Sequence, residues 1–208
     1  MVRVKICGIT RPKDALAAEA AGADAVGLIF WPRSKRRVSV EQARAISDGL
    51  GPFVARVGVF LDAPFEEVLE TALALRLDAV QLHGREEAEY AARLRERVRV
   101  IKAFAYAPSL TPEVLAAYPA DAVLLDAPVP GGGRAFDWGV AERFRGFPRL
   151  ILAGGLTPEN VAAGVAAFAP YGVDVASGVE EAPGVKSAAK LRAFVRALEA
   201  TGRGEVLS

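Results

Sequence analysis

The feature that most constrains this chain is a strand-like run that returns about every 25 residues. Four segments set the interval: AGADAVGLIF from Ala21, LRLDAVQLHG from Leu75, YPADAVLLDA from Tyr118 and APYGVDVASG from Ala169. Each places an aspartate (Asp24, Asp78, Asp121, Asp174) at the start of a short, β-branched apolar run. Four more runs fall between them: VRVKIC from Val2, VARVGVF from Val54, VRVIKAF from Val98 and RLILAGG from Arg149. The runs are continuous rather than alternating in polarity, as expected of parallel strands covered on both faces.

Helical stretches fill the gaps: Pro12 to Ala21, a helix opened by a Ser39/Gln42 capping box and ending near Gly49, then Phe65 to Leu75, Glu86 to Arg97, Thr111 to Tyr118 and Ser187 to Ala200. Thr111-Pro112 and Thr157-Pro158 each read as an N-cap followed by proline at the first helical position. Strands alternating with helices over 208 residues predict α/β architecture, a single (β/α)8 TIM barrel in which residues 1–208 form one catalytic domain. An open doubly wound sheet shares the same alternation.

Composition narrows the chemistry. Lys and Arg number 26 against 25 Asp and Glu, a net charge of +1, which gives no reason to expect nucleic acid or an anionic membrane as partner. The N-terminus lacks an uninterrupted apolar region, and no run is long enough to span a bilayer, so the expected location is cytoplasmic. One cysteine and one histidine rule out an intrachain disulfide and a zinc site of clustered Cys and His. No cofactor and no metal are called for.

In such a barrel the active site lies at the C-terminal ends of the strands. Read in order, those ends are Cys7-Gly8, Phe30-Trp31, Phe60-Leu61, His83-Gly84, Phe104-Ala105, Asp126-Ala127, Gly154-Gly155 and Ser177-Gly178. The only cysteine and the only histidine both fall in this set. A thiol near pKa 8.5 is a modest base that a positive neighbour improves, and Lys5 shares its face of the strand, though deeper; an inert buried cysteine is the competing reading. Asp126 follows four apolar residues, and apolar surroundings favour the neutral carboxyl that a general acid needs; the same residue type also caps loops.

Gly154, Gly155, Ser177 and Gly178 end the seventh and eighth strands, where barrels often bind phosphate through backbone N–H groups, although a Gly-Gly pair also serves plain turns. Arg36, in the basic loop WPRSKRR, suits a substrate carboxylate through its planar fork. His83 is a candidate hydrogen-bond partner for substrate or a satisfied structural imidazole. The loop PVPGGGRAF (Pro128 to Phe136) reads as a cover over the site or a simple connection.

Taken together, KICGIT (Lys5 to Thr10), GLIFWPRSKRRV (Gly27 to Val38), VGVF (Val57 to Phe60), VQLHG (Val80 to Gly84), LLDA (Leu124 to Ala127), FDW (Phe136 to Trp138), LAGGLTPENV (Leu152 to Val161) and VDVASGVE (Val173 to Glu180) resemble the phosphoribosylanthranilate isomerase family of tryptophan biosynthesis. The resemblance runs nearly end to end. It implies an Amadori rearrangement of N-(5-phosphoribosyl)anthranilate to the 1-amino-1-deoxyribulose phosphate, without cofactor. It further implies Asp126 as the acid that opens the furanose, Cys7 as the base at C2, and Arg36 on the anthranilate carboxylate. Gly154, Gly155, Ser177 and Gly178 would hold the phosphate, and some family members form homodimers. The chain departs from the family pattern at Ser187, where Asp commonly follows the lysine, and in the GGGRAF loop. The rival readings are an indole-glycerol-phosphate synthase-like lyase, which would need a lysine at the strand ends, a histidine-pathway aminoaldose isomerase, which would use two aspartates, and a non-catalytic phosphate-binding barrel.

Overall fold

A computed structural model describes residues 2–126 and 141–202. Eight parallel strands, β1 (Arg3–Cys7), β2 (Ala25–Ile29), β3 (Ala55–Phe60), β4 (Ala79–Leu82), β5 (Arg99–Ala105), β6 (Ala122–Asp126), β7 (Leu150–Leu152) and β8 (Gly172–Val175), close into a barrel in sequence order. Hydrogen bonds between β1 and β8 complete the ring and exclude the open sheet. Outside it lie α1 (Pro12–Ala20), α2 (Val40–Asp48), α3 (Phe65–Leu75), α4 (Ala88–Arg95), α5 (Pro112–Ala117), α6 (Ala141–Phe144), α7 (Val161–Phe168) and α8 (Ala188–Gly202). A short hairpin, β9 (Glu180–Ala182) and β10 (Val185–Lys186), sits between β8 and α8.

Strand residues alternate between two cores. Val4, Ile6, Val26, Leu28, Val80, Leu82, Val123 and Leu125 point outward and pack under the helices. Ala103, Leu124, Ile151 and Ala153 point inward. Parallel strands buried on both faces explain why the runs in the sequence are unbroken rather than alternating.

The recurring aspartate turns out to be a structural clamp at three positions. The Asp24, Asp78 and Asp121 carboxylates accept from the backbone N–H of Val4, Arg56 and Val100, at 2.8, 2.7 and 2.9 Å. Their own N–H groups donate back to the carbonyls of those same residues. Each clamp ties the start of an even strand to the preceding odd one. Asp174 breaks the pattern: it lies inside β8 rather than at its start, is buried, and takes the Lys5 ammonium at 2.9 Å.

Two helix starts differ from the sequence reading. Ser39 and Gln42 do form the capping box. Thr111 stands at the N-cap of α5, but its side chain makes no cap bond. Thr157 does not cap α7: Thr157 to Asn160 form a turn, and the helix begins at Val161 with Asn160 at the cap. The Asn160 amide is used on that turn instead, accepting from Thr157 N–H and donating to the Gly155 carbonyl. Ser187 precedes α8 and accepts the Leu191 N–H through its carbonyl, the place of an N-cap residue, where serine is as suitable as aspartate. The loop 128–136, including GGGRAF, and the FDW motif lie outside the described residues.

Candidate active site

Cys7 and Asp126 are the last residues of β1 and β6, and both side chains belong to the inward-facing set, 7% and 8% exposed. Between them around the rim lie the ends of β7 and β8. With neighbouring strands about 4.8 Å apart and tilted about 36°, residues three strands apart in an eight-stranded ring are roughly 14 Å apart at Cα. The two side chains span about 6 Å of that, leaving a gap of roughly 8 Å, the size of a pentose in contact on both sides.

The thiol sits in a made space. A Cβ on Gly27 of β2 would lie 2.8 Å from Cys7 Sγ and 3.1 Å from Lys5 Nζ, so only glycine lets both groups occupy the barrel interior here. Burial pushes the thiol up from its ordinary value, opposed by the positive charges of Lys5 and Lys186, while Asp174 adds to the rise.

Lys186, which sequence reasoning did not single out, is fully buried and holds the ends of β1 and β8. Its ammonium donates to Cys7 O (2.6 Å), Ala176 O (3.0 Å) and Glu180 Oε1 (2.8 Å). Burial draws its pKa below the ordinary value despite Glu180. Glu180 also takes the Arg36 fork, from Nε at 2.8 Å and Nη2 at 2.6 Å. Burial alone would raise the Glu180 carboxyl, but the bonds from Arg36 and Lys186 outweigh it and hold it below the usual carboxylate range. Of the four cations in the loop Trp31 to Arg37, Arg36 alone is turned in; Arg33, Lys35 and Arg37 are exposed. Its stem lies on Gly8, whose φ is +72° and whose Cβ would come within 2.5 Å of Arg36 Cδ.

His83 lies just beyond β4 with its Nε2 3.4 Å from Asp126 Oδ2. The Gln81 amide donates to Nδ1 at 2.9 Å, which places the imidazole proton on Nε2, facing the carboxylate. Gln81 Oε1 is buried with no partner. The neighbourhood of Asp126 is therefore not the apolar one its strand suggested, since an imidazole reaches it from two strands away. The turn carrying His83 is fixed from outside the barrel, where the Glu86 carboxylate accepts from Gly84 N–H and Asp62 N–H and pairs with Lys102 at 2.8 Å.

Gly154 and Gly155 have φ of +89° and +67°, a conformation that favours glycine. Ser177 and Gly178 begin a single 3-10 turn beyond β8. A Cβ on Gly178 would strike the Leu156 carbonyl, so the turns after β7 and β8 pack backbone to backbone. Both turns lie between Asp126 and Cys7 in the order of the barrel.

Residues 4–197 match the family described as N-(5'-phosphoribosyl)anthranilate (PRA) isomerase. The chain belongs to that family. A relative named N-(5'-phosphoribosyl)anthranilate isomerase, from Rubrobacter xylanophilus, is 50% identical over 95% of this chain and 98% of its own. A phosphoribosyl anthranilate isomerase from Thermus thermophilus has the same fold, with a TM-score of 0.89, 52% identity and coverage of 96% and 99%. Another solved isomerase is in complex with reduced 1-(o-carboxyphenylamino)-1-deoxyribulose 5-phosphate; it is 44% identical, with a TM-score of 0.85 and coverage of 96% and 100%. Among the described residues no barrel strand ends on the lysine that the lyase reading requires: Lys5 lies one layer below Cys7, Lys102 faces outward toward Glu86, and the Lys186 ammonium, which reaches the ends of β1 and β8 from β10, is spent on three oxygens.

Proposed function

We propose that this chain isomerises N-(5-phosphoribosyl)anthranilate in tryptophan biosynthesis, in the cytoplasm, with Cys7 as general base and Asp126 as general acid. The observation that carries the assignment of roles is the order around the rim. Asp126, the glycine turns at 154–155 and 177–178, Cys7 and then Arg36 follow one another on β6, β7, β8, β1 and the loop after β2.

The chemistry follows from that order. Phosphate on the paired turns and carboxylate on Arg36 fix the sugar between them. Glu180 takes one edge of the Arg36 fork, and the Nη1 edge meets the substrate carboxylate. As general acid, Asp126 gives a proton to the furanose oxygen as the C1–O bond breaks, and nitrogen supplies the electron pair for a Schiff base. The iminium makes the C2 proton acidic, and the Cys7 thiolate removes it, leaving an enol-amine. The Cys7 thiol returns a proton at C1 and the Asp126 carboxylate takes the C2 hydroxyl proton, which gives the ketone and restores both groups. The substrate's own nitrogen is the electron sink, so one acid and one base are sufficient.

The purified chain is expected to consume freshly formed phosphoribosylanthranilate, seen as loss of its fluorescence with the aminodeoxyribulose phosphate as sole product. Persistence of the substrate, or release of carbon dioxide, contradicts the reading. Arg36→Ala is expected to raise KM about 10- to 100-fold with a smaller change in kcat, the cost of losing a charged hydrogen bond made in the ground state. Initial rates across substrate concentration check this, and an unchanged KM removes Arg36 from the site.

The chain is also proposed to form a homodimer through the opposite, N-terminal mouth of the barrel. That mouth opens into a cavity of about 670 Å³ whose lining includes the small side chains Ala25, Ala55, Ala79 and Ala122 together with charged residues such as Arg3, Asp78 and Arg149. Phe53, 95% exposed, stands on its rim. One copy therefore offers both a knob and a hole, which a two-fold axis can satisfy reciprocally. A solved Thermotoga maritima relative, 42% identical with a TM-score of 0.86, is described as monomers generated from a dimeric isomerase. Phe53→Glu is expected to yield monomers in sedimentation; an unchanged assembly state contradicts this interface.

A further inference from the structure

We propose that Lys5, tethered by Asp174, is a positioning residue whose charge favours the reactive thiolate form of the Cys7 sulfur against the burial that disfavours it; the inference rests on the reading of Cys7 as the base. Lys5 stands two residues before Cys7 on the same face of β1, and its ammonium meets Asp174 Oδ1 at 2.9 Å with both side chains under 10% exposed. The bare backbone of Gly27 measures how close the groups are. Its absent Cβ would lie within 2.8 Å of the sulfur and 3.1 Å of the ammonium, so the two atoms are no more than about 6 Å apart.

Barrel interiors of this kind are usually filled with branched apolar side chains. A buried ion pair carries a desolvation cost that apolar packing avoids, and here it sits in the layer beneath the chain's one thiol.

Four charged groups face Cys7: Lys5 on its own strand, Asp174 on β8, Lys186 on β10 and Arg36 from the loop after β2. Lys186 has three N–H groups and spends them on three oxygens, Cys7 O, Ala176 O and Glu180 Oε1. The Arg36 charge is matched by the Glu180 fork. Lys5 bonds one oxygen, that of Asp174, and has two further N–H groups beside the sulfur. The carboxylate favours the charged ammonium in a buried place, where burial alone would draw its pKa down. Asp174 is thus both tether and counterweight, since its own charge opposes the thiolate.

The test is a titration of the thiolate by its ultraviolet absorbance in the full chain, with Cys7→Ala as blank; a single cysteine makes the signal unambiguous. Lys5→Met is expected to raise the ionisation midpoint by about one pH unit or more, because it removes the positive charge beside the sulfur, while Lys5→Arg, which keeps that charge, is expected to leave the midpoint near the parent value. A midpoint that stays in place in Lys5→Met, or that rises as far in Lys5→Arg, overturns the proposal. Should Lys5→Met fail to fold, Lys5→Gln takes its place and is judged by the same shift. The readout is ionisation rather than turnover. A failure here is therefore separable from a failure of Cys7 as base, which turnover of Cys7→Ala decides.

Discussion

Cys7→Ala is expected to lower kcat by about two to four orders of magnitude, the usual worth of a positioned general base, while leaving the barrel folded. The sulfur contributes little packing that alanine cannot approximate, because its space is set by the backbone of Gly27. The chain's ion pairs around it, Lys5 with Asp174 and Lys186 with Glu180, do not use the sulfur as a partner atom. Cys7→Ser gives the sharper comparison. It keeps a polar atom in place but replaces a thiol with an alcohol that does not ionise in the working range, so it is expected to be as inactive as alanine. Single-turnover rates with matched thermal melting curves check both variants. Activity within tenfold of the parent in either one rejects Cys7 as the base.

Asp126→Asn is expected to have an effect of the same order, about 10²–10⁴ in kcat, for a different reason. Asparagine is nearly isosteric, and its side-chain oxygen still accepts from His83 Nε2, so the contact at 3.4 Å survives the change. What is lost is the proton for the furanose oxygen. Because neither anchor is touched, KM is expected to move far less than kcat, the reverse of the Arg36→Ala pattern. The comparison of kcat with KM in the two variants separates an acid from an anchor, and a large rise in KM with little loss of kcat contradicts the role given to Asp126.

The barrel was legible because its physics is local. A β-branched run buried on both faces and a helix with an apolar stripe each leave their own signature, and a regular interval between them leaves few folds to choose from. The positions of Cys7 and Asp126 at the ends of β1 and β6 were legible for the same reason: a strand's end can be read from where its run stops. The ends of β2, β4, β7 and β8 stop one or two residues short of the reading.

Partners brought from far along the chain were not legible. Arg36 meets Glu180 across 144 positions, and Lys186 meets Cys7 across 179. No periodicity encodes which lysine turns inward. Asp174 shows the limit most clearly. In sequence it stands with Asp24, Asp78 and Asp121 as the fourth member of a repeat, yet those three clamp strand starts and Asp174 faces the interior. Asp174 is the third residue of its strand, whereas the other three stand just before theirs, and that offset puts its side chain on the interior face. The start of α7 was misplaced because Thr157-Pro158 carries the composition of a helix start while Asn160 supplies the cap position.

The central claim is that one sugar lies between the Cys7 sulfur and the Asp126 carboxyl. A crystal structure of this chain with the reduced product, 1-(o-carboxyphenylamino)-1-deoxyribulose 5-phosphate, tests it most directly. The expected result has the sulfur beside C2 and the carboxyl on the far side of the sugar chain, with phosphate on the turns at 154–155 and 177–178 and the aromatic carboxylate on Arg36. A ligand that touches only one of the two side chains, or that binds away from this rim, contradicts the account.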